Sequence, residues 1–338
     1  MAERLVDVMR GPVTESVHWG DIAVVDKAGK LLYSAGDPNR VICMRSSAKP
    51  LQALNVILTG AADHYNLTDR ELAIMCASHY GEDFHWRTIE GLLDKMGLTM
   101  DHILTGTRPM ESSIQTVLEN DGKLWEWREN HSDCSGKHCG FLASCLLQGF
   151  PIENYDRMEN PVQQQVLQIL AKICGMDKEE IYIAEDGCGV PVHGLPLYNA
   201  AWGFARLANP GDLEPDFRAA CGRITKAMNA APEMVAGTGG FCTELMKHTN
   251  GKLVGKMGAE AVYGIGVIGK DLGIAVKIED GNYNRACGPV VIETLTQLGL
   301  LTQRERSALS RFVSPVENKN NHGRVVGEIR TVFTLTKQ

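Results

Sequence analysis

Long apolar runs, clusters of basic residues and paired cysteine motifs are all missing from this 338-residue chain. No stretch approaches the length of a transmembrane helix, because Lys270 and Asp271 interrupt the longest apolar candidate. The N-terminal Met1-Ala2-Glu3-Arg4-Leu5-Val6-Asp7 lacks the apolar core of a signal peptide. Lysine and arginine nowhere form a run and the formal charge is -7, which argues against a nucleic-acid-binding surface. A cytoplasmic protein is expected. The ten cysteines are then reduced thiols rather than a disulfide framework. Cys43, Cys76, Cys145, Cys174, Cys221 and Cys242 sit among apolar neighbours and read as core. Repeats, low-complexity tracts and Gly/Ser linkers are also absent from the sequence.

What is present is ordinary globular composition, 44% hydrophobic and 22% charged, with length for a substantial core. The early pattern predicts strands at 21–25 and 30–34 and a strand entering Arg45 from Val41. Helical spacing dominates 51–58, 68–75, 86–96, 140–147, 161–173, 197–207 and 216–228. Strands return at 252–256, 261–267 and 273–278, followed by a helix at 286–298 and a last strand at 325–331. The expected fold class is therefore α+β: a mainly antiparallel sheet from the N- and C-terminal segments, with a helical middle packed on or beside it. The cleft between sheet and helices is the natural pocket.

Gly264-Ile265-Gly266-Val267-Ile268-Gly269 matches the glycine pattern of a dinucleotide-binding turn. That turn opens a helix, whereas Leu272–Val276 reads as a strand, so a glycine-rich hairpin is expected. Gly237-Thr238-Gly239-Gly240 lacks the Lys-Ser/Thr of a phosphate loop and reads as a turn that admits close backbone approach.

The strongest chemical signal is Arg45-Ser46-Ser47-Ala48-Lys49-Pro50. Ser46 and Lys49 are three apart and share one helical face, so the amine can reach the hydroxyl. Pro50 forces the helix to begin just before it, placing the serine at a strand-to-helix joint near backbone donors. A serine there can attack an amide with a lysine as base. Most chance occurrences of this spacing are an N-cap serine followed by a solvated lysine, so other motifs must support it.

Cys76-Ala77-Ser78-His79-Tyr80-Gly81-Glu82 reads as a polar pocket or, more simply, as an ordinary helix C-terminus with Gly81 capping. Cys134-Ser135-Gly136-Lys137-His138-Cys139 and Asp186-Gly187-Cys188-Gly189 could supply thiolates to zinc, or be metal-free turns. Ligand chemistry alone nominates His131, His138, His193 or Cys139 as further ligands. Lys256 falls late in a strand, before glycine. It would be a base if it pointed into a cleft and a solvated residue if it did not.

Arg45–Pro50, Cys76–His79, Cys134–His138, Asp186–Pro191 and Lys256–Glu260 together resemble the asparaginase II family. This is the rhizobial-type L-asparaginase group, distinct from threonine-dependent bacterial enzymes and from the N-terminal-nucleophile plant type. The motifs come in the family's order. The resemblance implies a fold similar to serine β-lactamases and glutaminases, one catalytic domain over 1–338 (undivided, or with a sheet lobe from both chain ends and a helical lobe over about 50–235) and a homodimer. It implies hydrolysis of L-asparagine to L-aspartate and ammonia. It implies two serine–lysine pairs, Ser46 with Lys49 and Ser78 with Lys256, and zinc held by Cys134, Lys137 and Cys188, with Asp186 in support. On that reading Ser46 is the nucleophile and Lys49 its base, while Ser78 and Lys256 relay protons; the reverse assignment, with Ser78 as the nucleophile, is open. Charge complementarity nominates Arg45 and Asp186, together with His79, for substrate binding. Tyr80 and Ala261 depart from the family pattern, which often has a small residue and a glycine there. Two other readings are a glutaminase or another β-lactamase-like amidohydrolase, and a non-catalytic zinc- or thiol-binding protein, which accounts only for the cysteine motifs.

Overall fold

A computed structural model describes residues 1–106 and 128–338; residues 107–127 of the expected helical stretch lie outside the described part. The N-terminus forms β1 (Glu3–Arg10), β2 (Val13–Asp26), β3 (Leu31–Ala35) and the short β4 (Val41–Cys43). Among the described residues two further strands interrupt the helical middle, β5 (Tyr182–Glu185) and β6 (Pro191–Pro196). The C-terminal half supplies β7 (Leu253–Gly258), β8 (Val262–Val267), β9 (Leu272–Ile278), β10 (Val316–Lys319), β11 (Val325–Thr331) and β12 (Thr336–Lys337).

The main sheet runs β10-β11-β1-β2-β9-β8-β7, with β3 beside β2 and β12 beside β3. Every adjacent pair in it is antiparallel. Both chain ends thus build one sheet around an intervening helical segment, as the α+β reading requires. Strand β2 is long enough to serve both halves. Its first part pairs with β1, and Ile22–Val25 lie between β3 and β9. Its inner part, Ile22-Ala23-Val24-Val25, is fully buried, as a strand covered on both faces must be.

The Leu197–Ala208 helix lies across β2, β8 and β9. Its close seat explains the glycine pattern. A Cβ on Gly264 would lie 2.0 Å from the Phe204 ring, and one on Gly273 would lie 2.0 Å from the Ala201 carbonyl. The pattern therefore serves helix-on-sheet contact in a β8–β9 hairpin.

A second sheet, β4-β6-β5, fixes where two loops end. Both β4 and β5 run antiparallel to β6, so they run parallel to each other. Their C-terminal ends therefore meet at one edge. That edge brings Met44–Arg45 next to Asp186–Cys188, although about 140 residues separate them.

Elsewhere the structure refines the expected elements. The helix expected at 51–58 is broken into a 3-10 turn Arg45–Ala48 and the short helices Lys49–Gln52 and Leu54–Leu58. Pro50 takes an early position, where its missing N–H leaves no gap. The helix expected from Gly140 starts at Ser135, so the Cys134 motif is a helix N-terminus and not a loop. Cys43 departs from the core reading. It is exposed, because β4 alternates outward, inward, outward, while Cys76, Cys145, Cys174, Cys221 and Cys242 are buried as expected. All ten cysteines are free. No helix among the described residues is long and apolar enough to cross a membrane.

Candidate active site

Four segments converge on one buried amine–hydroxyl cluster. Ser46 and Lys49 come from the Arg45–Ala48 turn and the helix after it. Arg45, just before them, holds a left-handed backbone with φ 49°, the sharp bend that turns β4 into the helix. Ser78 follows the Asp69–Met75 helix, whose Thr68 and Glu71 form a reciprocal capping box. The Ser78 and Tyr80 amides donate to the carbonyls of Val235 and Ala236, which tie this loop to the 235–240 segment. Glu82 secures the same clasp by accepting the Thr238 N–H and hydroxyl, each at 2.7 Å. Lys256 comes from β7, opposite Gly264.

Two glycines permit the approach. A Cβ on Gly258 would lie 2.7 Å from the Met44 carbonyl and 3.0 Å from the Ser47 amide, so β7 can end directly against the Ser46 turn. A Cβ on Gly136 would lie 2.0 Å from the Ile74 carbonyl, so the Ser135–Gln148 helix abuts the helix leading to Ser78.

Ser78 is the hub. Its Oγ accepts from Lys256 Nζ at 2.8 Å and from Lys49 Nζ at 3.1 Å. Lys49 also donates to the carbonyls of Ala77 and Asp133 and lies 3.5 Å from the Asp133 carboxylate. Lys256 also donates to the Met257 carbonyl. Both lysines are fully buried. Among the described residues no hydrogen bond joins Ser46 to Lys49, and the Ser46 hydroxyl makes none to any other side chain.

The two amines differ electrostatically. Burial pushes Lys256 down to about 8, with Lys49 adding to the effect and the Cys242 sulfur opposing it. Burial also acts to lower Lys49, but Cys134, Asp133 and Cys188 outweigh it and leave that amine above its ordinary value. Lys256 is therefore the amine closest to neutrality, and Lys49 is the ammonium.

Arg45 and Asp186 meet, Nε to Oδ1, at 2.7 Å, and the Asp186 carboxylate also accepts the Gly187 amide. His79 does not join the cleft. It is fully buried, its Nδ1 accepts the Gly81 N–H, and its Nε2–H donates to Ser135 Oγ at 2.8 Å. Both ring nitrogens are used inside the protein. The helix before them ends at Met75 with Cys76 as its cap, so Gly81 does not cap it as the simpler reading expects. Tyr80 lines a neighbouring cavity of about 1010 Å³ with Phe241, Arg311 and Phe312. Neither of the paired serines or lysines lines that cavity. The amine–hydroxyl cluster, and not that cavity, holds the paired hydroxyl and amine groups.

Cys134, Lys137 and Cys188 also come together. Lys137 Nζ donates to Cys188 Sγ at 2.9 Å, and the Cys134 thiol bonds the same sulfur. These contacts hold Cys188 far below the ordinary thiol range, the Cys134 bond first and the Lys137 charge after it. Among the described residues no three His, Cys, Asp or Glu side chains form a metal-holding group. Two facing sulfurs with an adjacent amine do fit zinc, whose ligands are soft sulfur and nitrogen donors. Of the alternatives from ligand chemistry, Cys139 is a core thiol pushed up to about 12 by burial. His131 accepts the Arg128 amide at its Nδ1. His193 is buried with both ring nitrogens unpartnered, and burial first, then Lys137, brings it down to about 4.

A family model described as L-asparaginase II matches residues 6–331. Among solved structures, Mglu in its native form is similar at 12% identity and a TM-score of 0.47, with 83% of this chain and 61% of that one covered. A β-lactamase from Mycobacterium bovis is similar at 14% identity and a TM-score of 0.43, with 83% of this chain and 95% of that one covered. This chain thus spans about three fifths of the length of Mglu. No curated protein matches it.

Proposed function

The chain belongs to the L-asparaginase II family, and from that premise we propose that it hydrolyses the side-chain amide of L-asparagine to L-aspartate and ammonia by serine attack. The observation that carries the reading is Ser78 Oγ held between two buried amines, one with depressed proton affinity.

Lone-pair accounting assigns the roles. A hydroxyl oxygen has two acceptor sites. When Lys256 is neutral, the Ser78 oxygen accepts from the Lys49 ammonium and its own proton faces the Lys256 nitrogen, which suits a proton shuttle. Ser46 Oγ is unencumbered and is the nucleophile in this reading. Neutral Lys256 takes the Ser78 proton while Ser78 takes one from Lys49. Lys49, now neutral, receives the Ser46 proton as Ser46 Oγ bonds to the amide carbon. The reverse transfer protonates the leaving ammonia, and water then releases aspartate. Arg45 and Asp186 carry the charges that complement the substrate carboxylate and ammonium. Cys134, Lys137 and Cys188 would hold zinc, which would supply a fixed positive charge beside the substrate. Chelation is then expected to raise KM more than it lowers kcat. A homodimer remains part of this proposal, and sedimentation of the purified protein tests it.

The test is a comparison of ammonia release from asparagine and glutamine, with mass mapping of the acylated serine in quenched reactions. Faster release from asparagine and acylation at Ser46 are expected. Ser46→Ala should abolish turnover, and Ser78→Ala should slow it by about 10²–10⁴-fold. Acylation found on Ser78 would exchange the two roles. Release from glutamine alone would replace the substrate.

A further inference from the structure

The cavity of about 1010 Å³ that Tyr80 lines plays no part in the proposed chemistry. Its volume is that of a small-molecule site. Its walls include the aromatic rings of Tyr80, Phe241, Tyr283 and Phe312. Two guanidinium groups also line it, those of Arg285 and Arg311, and among the described residues neither has an ion-pair partner. The nearby carboxylates are engaged elsewhere. Glu82 accepts from Thr238 with both oxygens, and Asp83 lies 2.7 Å from Arg87 Nε. Glu15, whose charge Arg285 also feels, is held by Arg10 Nε at 2.8 Å. Local structure sets these groups in place. Tyr283 and Arg285 come from a π-turn, Tyr283–Cys287, a form concentrated at functional sites. The close approach that Gly237-Thr238-Gly239-Gly240 admits is that of the Tyr80 ring. A Cβ on Gly237 would lie 2.7 Å from that ring, and one on Gly240 would lie 2.9 Å from its hydroxyl. A Cβ on Gly239 would lie 3.5 Å from Arg311 Nη1.

We propose that this cavity is a second ligand site, which takes a small organic anion with a flat apolar body and transmits its occupancy to Ser78 through Tyr80. Guanidinium groups recognise the oxygens of a carboxylate or phosphate, and aromatic walls recognise a flat apolar body. An amino-acid amide would leave those walls unused, and none of Ser46, Lys49, Ser78 and Lys256 lines the cavity, so it is not the place of the amide chemistry. Tyr80 stands two residues from Ser78, and the amides of both are held by the carbonyls of Val235 and Ala236. A ligand packed on the Tyr80 ring therefore bears on the segment that positions the Ser78 hydroxyl. The transmission, and not the site, rests on the reading of Ser78 as part of the proton relay.

Two measurements on the full chain test this. Fluorine NMR titration with 4-fluorobenzoate reads the site without any turnover. Saturable binding is expected, with 4-fluorobenzyl alcohol, uncharged and of similar shape, bound at least about 10-fold more weakly. Arg285→Gln and Arg311→Gln should each weaken 4-fluorobenzoate by about 10-fold. Both side chains are exposed, so both variants are expected to fold. Absence of saturable binding, equal binding of the alcohol, or binding untouched in both variants would overturn the site. Ammonia release from asparagine then reads the transmission. Saturating 4-fluorobenzoate should shift kcat by about 5-fold or more in the unmodified protein, and the same concentration should leave Arg311→Gln close to its own basal rate. A rise in KM alone would mean competition at the catalytic cluster and would overturn the proposal, and an unchanged kcat at saturation would overturn the transmission. A protein that releases ammonia from neither asparagine nor glutamine would sink the asparaginase reading, and the NMR titration would still decide the site, so the two failures can be told apart.

Discussion

Lys256 has its proton affinity lowered to about 8 from an ordinary 10.5, chiefly by burial. If its neutral form starts the proton relay, kcat/KM should rise with pH through about 8 and level off above it. A pH–rate profile that is flat from pH 6 to 9 would remove Lys256 from the relay. The same shift has a stability consequence with a definite sign. Between about 8 and 10.5 the unfolded chain holds a proton that the folded chain has released, so stability rises with pH across that window. Below about 8 the full penalty applies, on the order of 3 kcal/mol. Lys256→Met should therefore raise the melting temperature at pH 7 while abolishing turnover, and the gain should fade as pH approaches 10.5. Thermal melts at the two pH values check this. The pairing at this scale was only partly legible in sequence. The interval from Ser46 to Lys49 suggests a local contact, but the Lys49 amine turns instead to Ser78 and Asp133. Sequence spacing reports that a contact is possible; competing acceptors from remote segments decide which one forms.

The site is assembled at the ends of elements, and there the glycines matter. Gly258→Ala would put a Cβ against backbone atoms of Met44 and Ser47, which cannot swing aside as a flexible side chain would. Lys256 would then shift relative to Ser46. We expect activity to fall by about 10²-fold or more, since displacements near 1 Å have that effect, while far-ultraviolet circular dichroism stays unchanged. The turn between β7 and β8 makes a contrasting case. Ala261 has φ 51° and Glu260 φ 60°, left-handed positions that glycine accepts more readily. Ala261→Gly should thus leave the melting temperature unchanged or higher, unlike most replacements by glycine. A clear fall would show that the buried methyl outweighs the strain. Element types were largely readable from periodicity: the Pro161–Cys174 and Leu197–Ala208 helices and β11 lie where the pattern puts them. The strands β1, β6 and β10 and the Phe241–His248 helix carried no signal strong enough to be seen. β6 is almost wholly buried between two neighbours, and such a strand need not alternate.

On the scale of the whole molecule, the chain closes on itself. β11 pairs with β1, β12 pairs with β3, and the Val332 amide donates to the Leu5 carbonyl. Phe333, 5% exposed, packs into the core shared by sheet and helices. Phe333→Ala should destabilise the protein by about 3–5 kcal/mol, and removal of residues 332–338 should do at least as much. A chemical-denaturation midpoint that does not move in either variant would show that the C-terminal segment is not part of the cooperative unit. This closure places the two terminal regions in one sheet and leaves the helical middle to carry Ser78, Cys134 and Lys137 to it.

By itself the sequence determined the α+β class, the alternation of elements and the residue types of the chemistry, because periodicity, turn residues and short motifs are local properties. Only the tertiary structure decided that both lysines meet on Ser78, that His79 is withdrawn and that Asp186 lies against Arg45. Those outcomes follow from parallel strand ends, from glycines that let backbones touch, and from competition among buried donors and acceptors. None of these is written in any single segment.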